Sequence, residues 1–290
     1  MITERMAKSS AWCYPVMESA HILIAGSTGS GKSVCLNTLL YNIYRKYWNV
    51  TDGFGLYLID PKRVELKDYR HSKAVVGYET EPDKIADLLD FAIEDMEGVY
   101  SRMEGKKSTE GPTYIVIDEL ADLVSDKKIL DKIVKIGRLG RAADFHLICC
   151  TQDPSKTTLS AQFMQNITCC IGLHCKDEIA SRQIIGKAGL EDFPIGYAWI
   201  EGSNLKSSVA NITSGSYQIT LTPDEDIAEI IASTDMFWEY EHYIQKRSED
   251  RWTLMERIRK QKKLLPPPVC IDPRYAEKLR KGYYQMWVEV

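Results

Sequence analysis

The residues Gly26-Ser27-Thr28-Gly29-Ser30-Gly31-Lys32-Ser33 have the spacing G-x-x-x-x-G-K-[ST], a pattern that cradles phosphate groups. Its glycines let successive backbone N–H groups turn inward around phosphate oxygens without a side chain colliding. A helix that follows such a loop points the positive end of its dipole at the same oxygens. Lys32 would neutralise the outer phosphates and Ser33 would ligate magnesium, so the loop calls for ATP and Mg2+. The flanks agree with this reading. His21-Ile22-Leu23-Ile24-Ala25 is a short apolar run suited to a buried strand, and Val34, Leu36, Leu39, Leu40 and Ile43 then recur at helical spacing.

A second run, Tyr114-Ile115-Val116-Ile117, leads into Asp118 and Glu119. Taken alone, two acids in that place suit a solvated helix N-terminus, where the dipole favours negative charge. Beside a phosphate loop they suit hydrolysis: Asp118 to hold magnesium, directly or through water, and Glu119 to polarise the attacking water. Gln152 ends another apolar run, and the carboxyl ends of strands in an open α/β sheet line the ligand crevice, so Gln152 is placed to meet the outer phosphate or the water. Arg138 and Arg141 precede that run. A guanidinium there would stabilise the charge of phosphoryl transfer on a neighbouring subunit's nucleotide, although an exposed helix end accounts for both arginines equally well.

The elements that must position these groups can be read from periodicity. Strands are expected at His21–Ala25, 55–60, 114–117, 145–151, 169–174, 197–200 and 208–212. Pro61 helps to end the second of these, because it cannot donate to a ladder. Helices are expected from Pro82 to about Met103, from about Lys127 to Arg141, and from Asp177 to about Lys187. Strands alternating with helices imply an α/β fold with a mainly parallel sheet flanked by helices. Residues 1–20 read as an approach segment, 21–222 as the main domain, and 223–290 as a helical C-terminal extension with a stiff proline spacer at 266–268.

Composition sets the outer limits. A chain of 290 residues with 44% hydrophobic content can bury a substantial core. No stretch approaches the roughly 20 apolar residues needed to span a bilayer, and the N-terminus lacks a secretory layout. A cytoplasmic protein without a direct membrane span is expected, brought to a membrane only by partners. The eight cysteines show no C-x-x-C spacing and include the adjacent pairs Cys149-Cys150 and Cys169-Cys170 inside apolar runs, which reads as reduced cysteines packed as small hydrophobes. A net charge of −4 argues against indiscriminate coating of nucleic acid and confines any DNA contact to a local basic surface. Lys246 to Lys263 is one such basic run, equally readable as a solvated helix face.

Five segments in order, HILIAGSTGSGKS (21–33), IDPKRVEL (59–66), IVIDELADL (115–123), RLGRAADFHLICCTQ (138–152) and SRQII (181–185), resemble the motor domain of the FtsK/SpoIIIE family of DNA translocases, within the wider HerA/FtsK group. The resemblance covers about residues 20–215. It implies a RecA-like P-loop fold, a homohexameric ring with ATP sites between subunits, and double-stranded DNA drawn through the pore. Carried onto this chain, it makes Lys32 and Ser33 the first phosphate and magnesium contacts, Asp118 and Glu119 the metal-binding and catalytic acids, and Gln152 the phosphate sensor. Lys62 falls in the family's D-P-K signature, and Arg141 and Arg182 fall at its recurrent basic positions. Asp153 stands where the family usually has arginine, so no role of that arginine transfers.

Residues 223–290 do not resemble a winged-helix module, which points away from orientation-guided chromosome segregation. The chain looks more like the DNA pumps of conjugative elements, plasmids or phages, with a relaxase or secretion channel as partner. Rival readings are a protein-export ATPase of the type VII secretion class, a nucleotide-dependent docking protein and, least favoured, a small-molecule kinase.

Overall fold

The computed structural model describes residues 11–47, 53–103, 111–203, 205–207 and 210–240. The aromatic and charged stretch through Tyr243 and Trp252, the basic run 246–263 and the prolines 266–268 lie outside the described residues.

The apolar runs form the strands β1 (His21–Ala25), β2 (Gly55–Ile59), β3 (Val75–Glu79), β4 (Thr113–Ile117), β5 (Phe145–Thr151) and β6 (Cys169–Gly172), followed by β7 (Tyr197–Gly202) and β8 (Gly215–Gln218). They make one eight-stranded sheet of order β3-β2-β4-β5-β1-β6-β7-β8. β3 to β6 pair in parallel, while β7 and β8 are antiparallel additions at one edge. Every residue of β1, β2, β4 and β5 is buried, the signature of strands covered on both faces, and this is why they read as unbroken apolar runs instead of alternating ones.

The pleat divides each strand between two cores. Ile22, Ile24, Tyr114, Val116, Ile148 and Cys150 enter one, and Leu23, Ala25, Ile115, Ile117, Leu147 and Cys149 enter the other. On the first face lie α1 (Cys13–Met17), α2 (Lys32–Tyr47) and the start of α7 (Asp224–Tyr240), through Val16, Leu39 and Ile227. The second is covered by α3 (Pro82–Met103), α4 (Lys127–Leu139), the short α5 (Ala161–Met164) and α6 (Glu178–Ile185), through Leu88, Ile133, Phe163 and Ile184. Trp12, Cys13 and Val16 are buried, so the segment before β1 is packed into the core. Ser72 Oγ and the Lys73 N–H donate to Asp235 Oδ1 at 3.0 and 2.8 Å, which ties the far part of α7 to the chain entering β3.

Two sequence expectations need correction. β3 was not expected, because Gly77 and Tyr78 interrupt its apolar run; Gly77 lets the covering helix approach closely, since an added Cβ would lie 2.4 Å from Leu88 Cδ1. At the other edge, the described part of 208–212 shows only an isolated bridge between Lys206 and Asn211, and the final strand is Gly215–Gln218. Weakly alternating edge segments carry little apolar signal, so their positions shift easily. The described cysteines are all free, and most are buried among apolar side chains, as the composition suggested.

Candidate nucleotide site

Sheet order brings the candidate residues to one edge. The phosphate loop leaves the C-terminal end of β1 and runs into α2, β5 lies beside β1, and β4 lies beside β5. Residues 26–33, 118–119 and 152 therefore emerge at the same carboxyl edge, the usual place for a ligand crevice in such sheets. A cavity of about 420 Å³ there is lined by Thr28, Gly29, Lys32, Ser33, Asp118 and Gln152, with Lys62 and Glu65 from the loop after β2.

The loop is shaped by close approach. A Cβ on Gly26 would lie 2.7 Å from Ser30 Oγ and 2.9 Å from Leu173 Cβ, and Gly29 and Gly31 have φ of +75° and +99°. Lys32 is 9% exposed, and its Nζ donates to the carbonyls of Gly26 and Ser27 at 2.8 and 2.9 Å. Burial lowers the pKa of this ammonium, an effect opposed by the Glu119 and Asp118 charges. Thr28 Oγ1 donates to Gln152 Oε1 at 2.6 Å, joining the loop to the end of β5. The buried Ser30 hydroxyl has no hydrogen-bond partner.

Glu119 is buried at this edge, with 2% exposure. Its Oε1 accepts from Thr151 Oγ1 at 2.9 Å, from the Gln152 N–H at 3.0 Å and from the Ala121 N–H at 3.4 Å. Its Oε2 accepts from Lys62 Nζ at 2.8 Å. For Lys62, burial lowers the pKa, but the hydrogen bond and charge of Glu119 outweigh it and the net shift is upward. The carboxyl pKa of Asp118 is pushed up to about 7, chiefly by burial and then by the charges of Asp60, Glu65 and Glu119. A carboxylate so crowded by like charge favours a cation. Among the described residues no group of three or more His, Cys, Asp or Glu stands ready to hold a metal. The glycine loop, the ammonium of Lys32, and Ser33 and Asp118 lining one cavity fit ATP with magnesium.

The reason for the Asp60-Pro61-Lys62 signature was not legible in the sequence. Asp60 is fully buried and accepts from the Val64 N–H, the Leu66 N–H and Tyr78 Oη at 3.2, 3.1 and 3.2 Å. It folds the loop after β2, which passes through a left-handed Arg63, and so delivers Lys62 to Glu119. Asp153 plays a local part: it accepts from the Ser155 N–H and from the Ser155 and Thr158 hydroxyls, shaping the turn after Gln152. Arg182 pairs with Glu178 one helical turn away on the exposed side of α6.

Arg141 is not brought to this edge. With Arg138, Tyr114, Asp144 and His146 it lines a cavity of about 990 Å³ at the amino ends of β4 and β5, across the sheet from the phosphate loop. It is exposed there, as is Arg138.

The parallel sheet, the glycine loop at its carboxyl edge and the acids one strand removed define a RecA-like P-loop ATPase. Residues 6–114 match the model of the FtsK/SpoIIIE family. The chain is 36% identical over 191 residues to the DNA translocase FtsK of Clostridium tetani, a match covering 59% of this chain and 25% of that protein. The chain is thus an ATPase similar to the FtsK/SpoIIIE proteins over these residues, and it spans about a quarter of the length of the curated relatives it matches. Among solved structures, the pCW3 conjugation coupling protein TcpA, in monomer form with ATPγS, superposes with a TM-score of 0.61 at 23% identity, over 75% of this chain and 65% of that one. The cytoplasmic domain of the Thermomonospora curvata type VII secretion ATPase EccC gives 0.60 at 21% identity, over 74% and 28%. At these identities the two structures speak for the fold. Among the described residues no helix is long and apolar enough to cross a membrane.

Proposed function

We propose that this chain hydrolyses ATP to drive double-stranded DNA, working as a homohexamer in DNA transfer by a conjugative element, plasmid or phage. The observation that carries the reading is the 36% identity, over 191 residues, to a protein named as a DNA translocase. Protein export ranks second, because the likeness to a secretion ATPase is one of fold.

In this reading the loop amides from Gly26 to Ser33 and the ammonium of Lys32 bind the phosphates. Ser33 and Asp118 would hold magnesium, which when bound would supply neutralisation of phosphate charge. Glu119, fixed by Thr151 and the Gln152 N–H, orients the water and takes its proton. Gln152 reports on the outer phosphate through its link to Thr28. Arg141, across the sheet from its own pocket, serves a neighbouring subunit's site.

The test is ATP hydrolysis by the purified protein with and without linear duplex DNA at low salt, where phosphate contacts are strongest, using Lys32→Ala as the blank. Stimulation by duplex DNA that disappears in Lys32→Ala is the expected result. Turnover indifferent to DNA would transfer the assignment to protein export or docking.

A further inference from the structure

The carboxylate of Glu119 has no unoccupied oxygen. Oε1 accepts from Thr151 Oγ1 and the N–H groups of Gln152 and Ala121, and Oε2 is bonded to the Lys62 ammonium. A carboxylate that takes a proton from water must offer that water an oxygen within hydrogen-bond reach. The Oε1 donors belong to the strand end and the turn after β4, which are fixed parts of the sheet. The Oε2 donor is different: it sits on a flexible four-carbon stem, and the Lys62 side chain is 39% exposed against 3% for Glu119. Lys62 also lines the same 420 Å³ cavity as Lys32, Ser33 and Asp118. The loop that carries it is held by the buried Asp60 carboxylate, which accepts from the Val64 and Leu66 N–H groups, so the ammonium can move while the loop stays in place.

We infer that the Lys62 ammonium is shared between Glu119 Oε2 and the terminal phosphate of a nucleoside triphosphate, so that a γ-phosphate in the pocket draws Lys62 to itself and frees Glu119 to accept from water. A phosphate carrying more than one negative charge competes well with a single carboxylate for one ammonium, and a diphosphate places no group at that distance. Lys62 thereby becomes the residue that distinguishes triphosphate from diphosphate, and it keeps Glu119 neutralised until the triphosphate is present. This rests on the reading of the cavity as the ATP site.

The test is calorimetric titration of the full chain with Mg-ATPγS and with Mg-ADP, in wild type, Lys62→Met, Lys62→Arg, Glu119→Gln and the double variant Glu119→Gln/Lys62→Met, each checked for an unchanged melting curve. Loss of one charge-assisted contact should weaken ATPγS binding by about tenfold or more in Lys62→Met. ADP binding should stay within about twofold of wild type, and Lys62→Arg should retain most of the preference for ATPγS. Glu119→Gln weakens the competitor for the ammonium, so it should tighten ATPγS binding when Lys62 is present and leave it unchanged in the Lys62→Met background. The inference is overturned if ATPγS and ADP shift together in Lys62→Met, or if Glu119→Gln tightens ATPγS equally with and without Lys62. Failure of the ATP-site reading has its own signature: Lys32→Ala would then bind both nucleotides as wild type does.

Discussion

The hydroxyl of Thr28 donates to the side-chain oxygen of Gln152 across 2.6 Å, although the two residues are 124 positions apart in the chain. This bond makes the phosphate loop and the end of β5 a single unit, so a change at either place is felt at the other. Gln152→Ala should retain nucleotide binding while hydrolysis falls about 100- to 1,000-fold, the range for loss of one oriented polar group at a reacting centre. Thr28→Val should cost less than about tenfold, because an exposed hydrogen bond is worth only about 0.5–1.5 kcal/mol. Steady-state hydrolysis and fluorescent-nucleotide titration on both variants check this pair.

Glu119 separates chemistry from architecture. Glu119→Gln retains an oxygen for Thr151 and the Gln152 N–H but gives up the charge, so kcat should fall about 10²- to 10⁴-fold with melting temperature nearly unchanged. Glu119→Ala should lose the same activity and also about 1–3 kcal/mol of stability, because buried donors at 119's neighbours are left unpaired. Equal melting curves for the two variants would contradict the network described above.

Two glycines of the phosphate loop should respond differently to alanine. A methyl on Gly26 meets Ser30 Oγ at 2.7 Å and the His174 carbonyl at 3.0 Å, so Gly26→Ala must reshape the loop and should weaken nucleotide binding at least tenfold. A methyl on Gly29 meets nothing within 4 Å and costs only the strain of its left-handed backbone, about 1–2 kcal/mol. Gly29→Ala should therefore bind nucleotide within a few-fold of wild type while melting lower.

Acid should loosen the fold through His21. This buried residue accepts the Leu147 N–H on Nδ1 at 3.0 Å, and its pKa is lowered to about 4, first by burial and then by the charges of His146 and, more weakly, Arg141. The unfolded chain takes up a proton near pH 6.5 that the folded one refuses until about pH 4, so the contribution is complete above about 6.5 and is lost as pH falls toward 4. The full effect is on the order of 3 kcal/mol. Melting temperatures at pH 7.5 and 4.5 should differ less in His21→Gln than in wild type.

Much of the frame was legible because its signals are local or strongly apolar. His21–Ala25 and Phe145–Thr151 are buried on both faces and read as unbroken runs, whereas Val75–Glu79, broken by Gly77, and Gly215–Gln218, half-exposed at an edge, did not stand out. Asp118, Glu119 and Gln152 could be picked out as candidates because each follows such a run. Lys62 could be picked out only by resemblance, since its partner is 57 residues away. That Arg141 lies at the opposite end of β5 from Gln152 follows from strand direction, since it precedes the run that Gln152 ends, and the structure places it in a separate cavity there.

By itself the sequence determined the phosphate loop, because its chemistry resides in the backbone of eight consecutive residues and needs only a strand before it and a helix after it. Tertiary structure alone decided what surrounds Glu119. The parallel order β2-β4-β5-β1 sets the ends of four separate strands side by side, and only that adjacency lets Lys62, Thr151 and Gln152 converge on one buried carboxylate. Hydrogen bonds reach about 3 Å whatever the distance along the chain, so strand order governs which side chains meet.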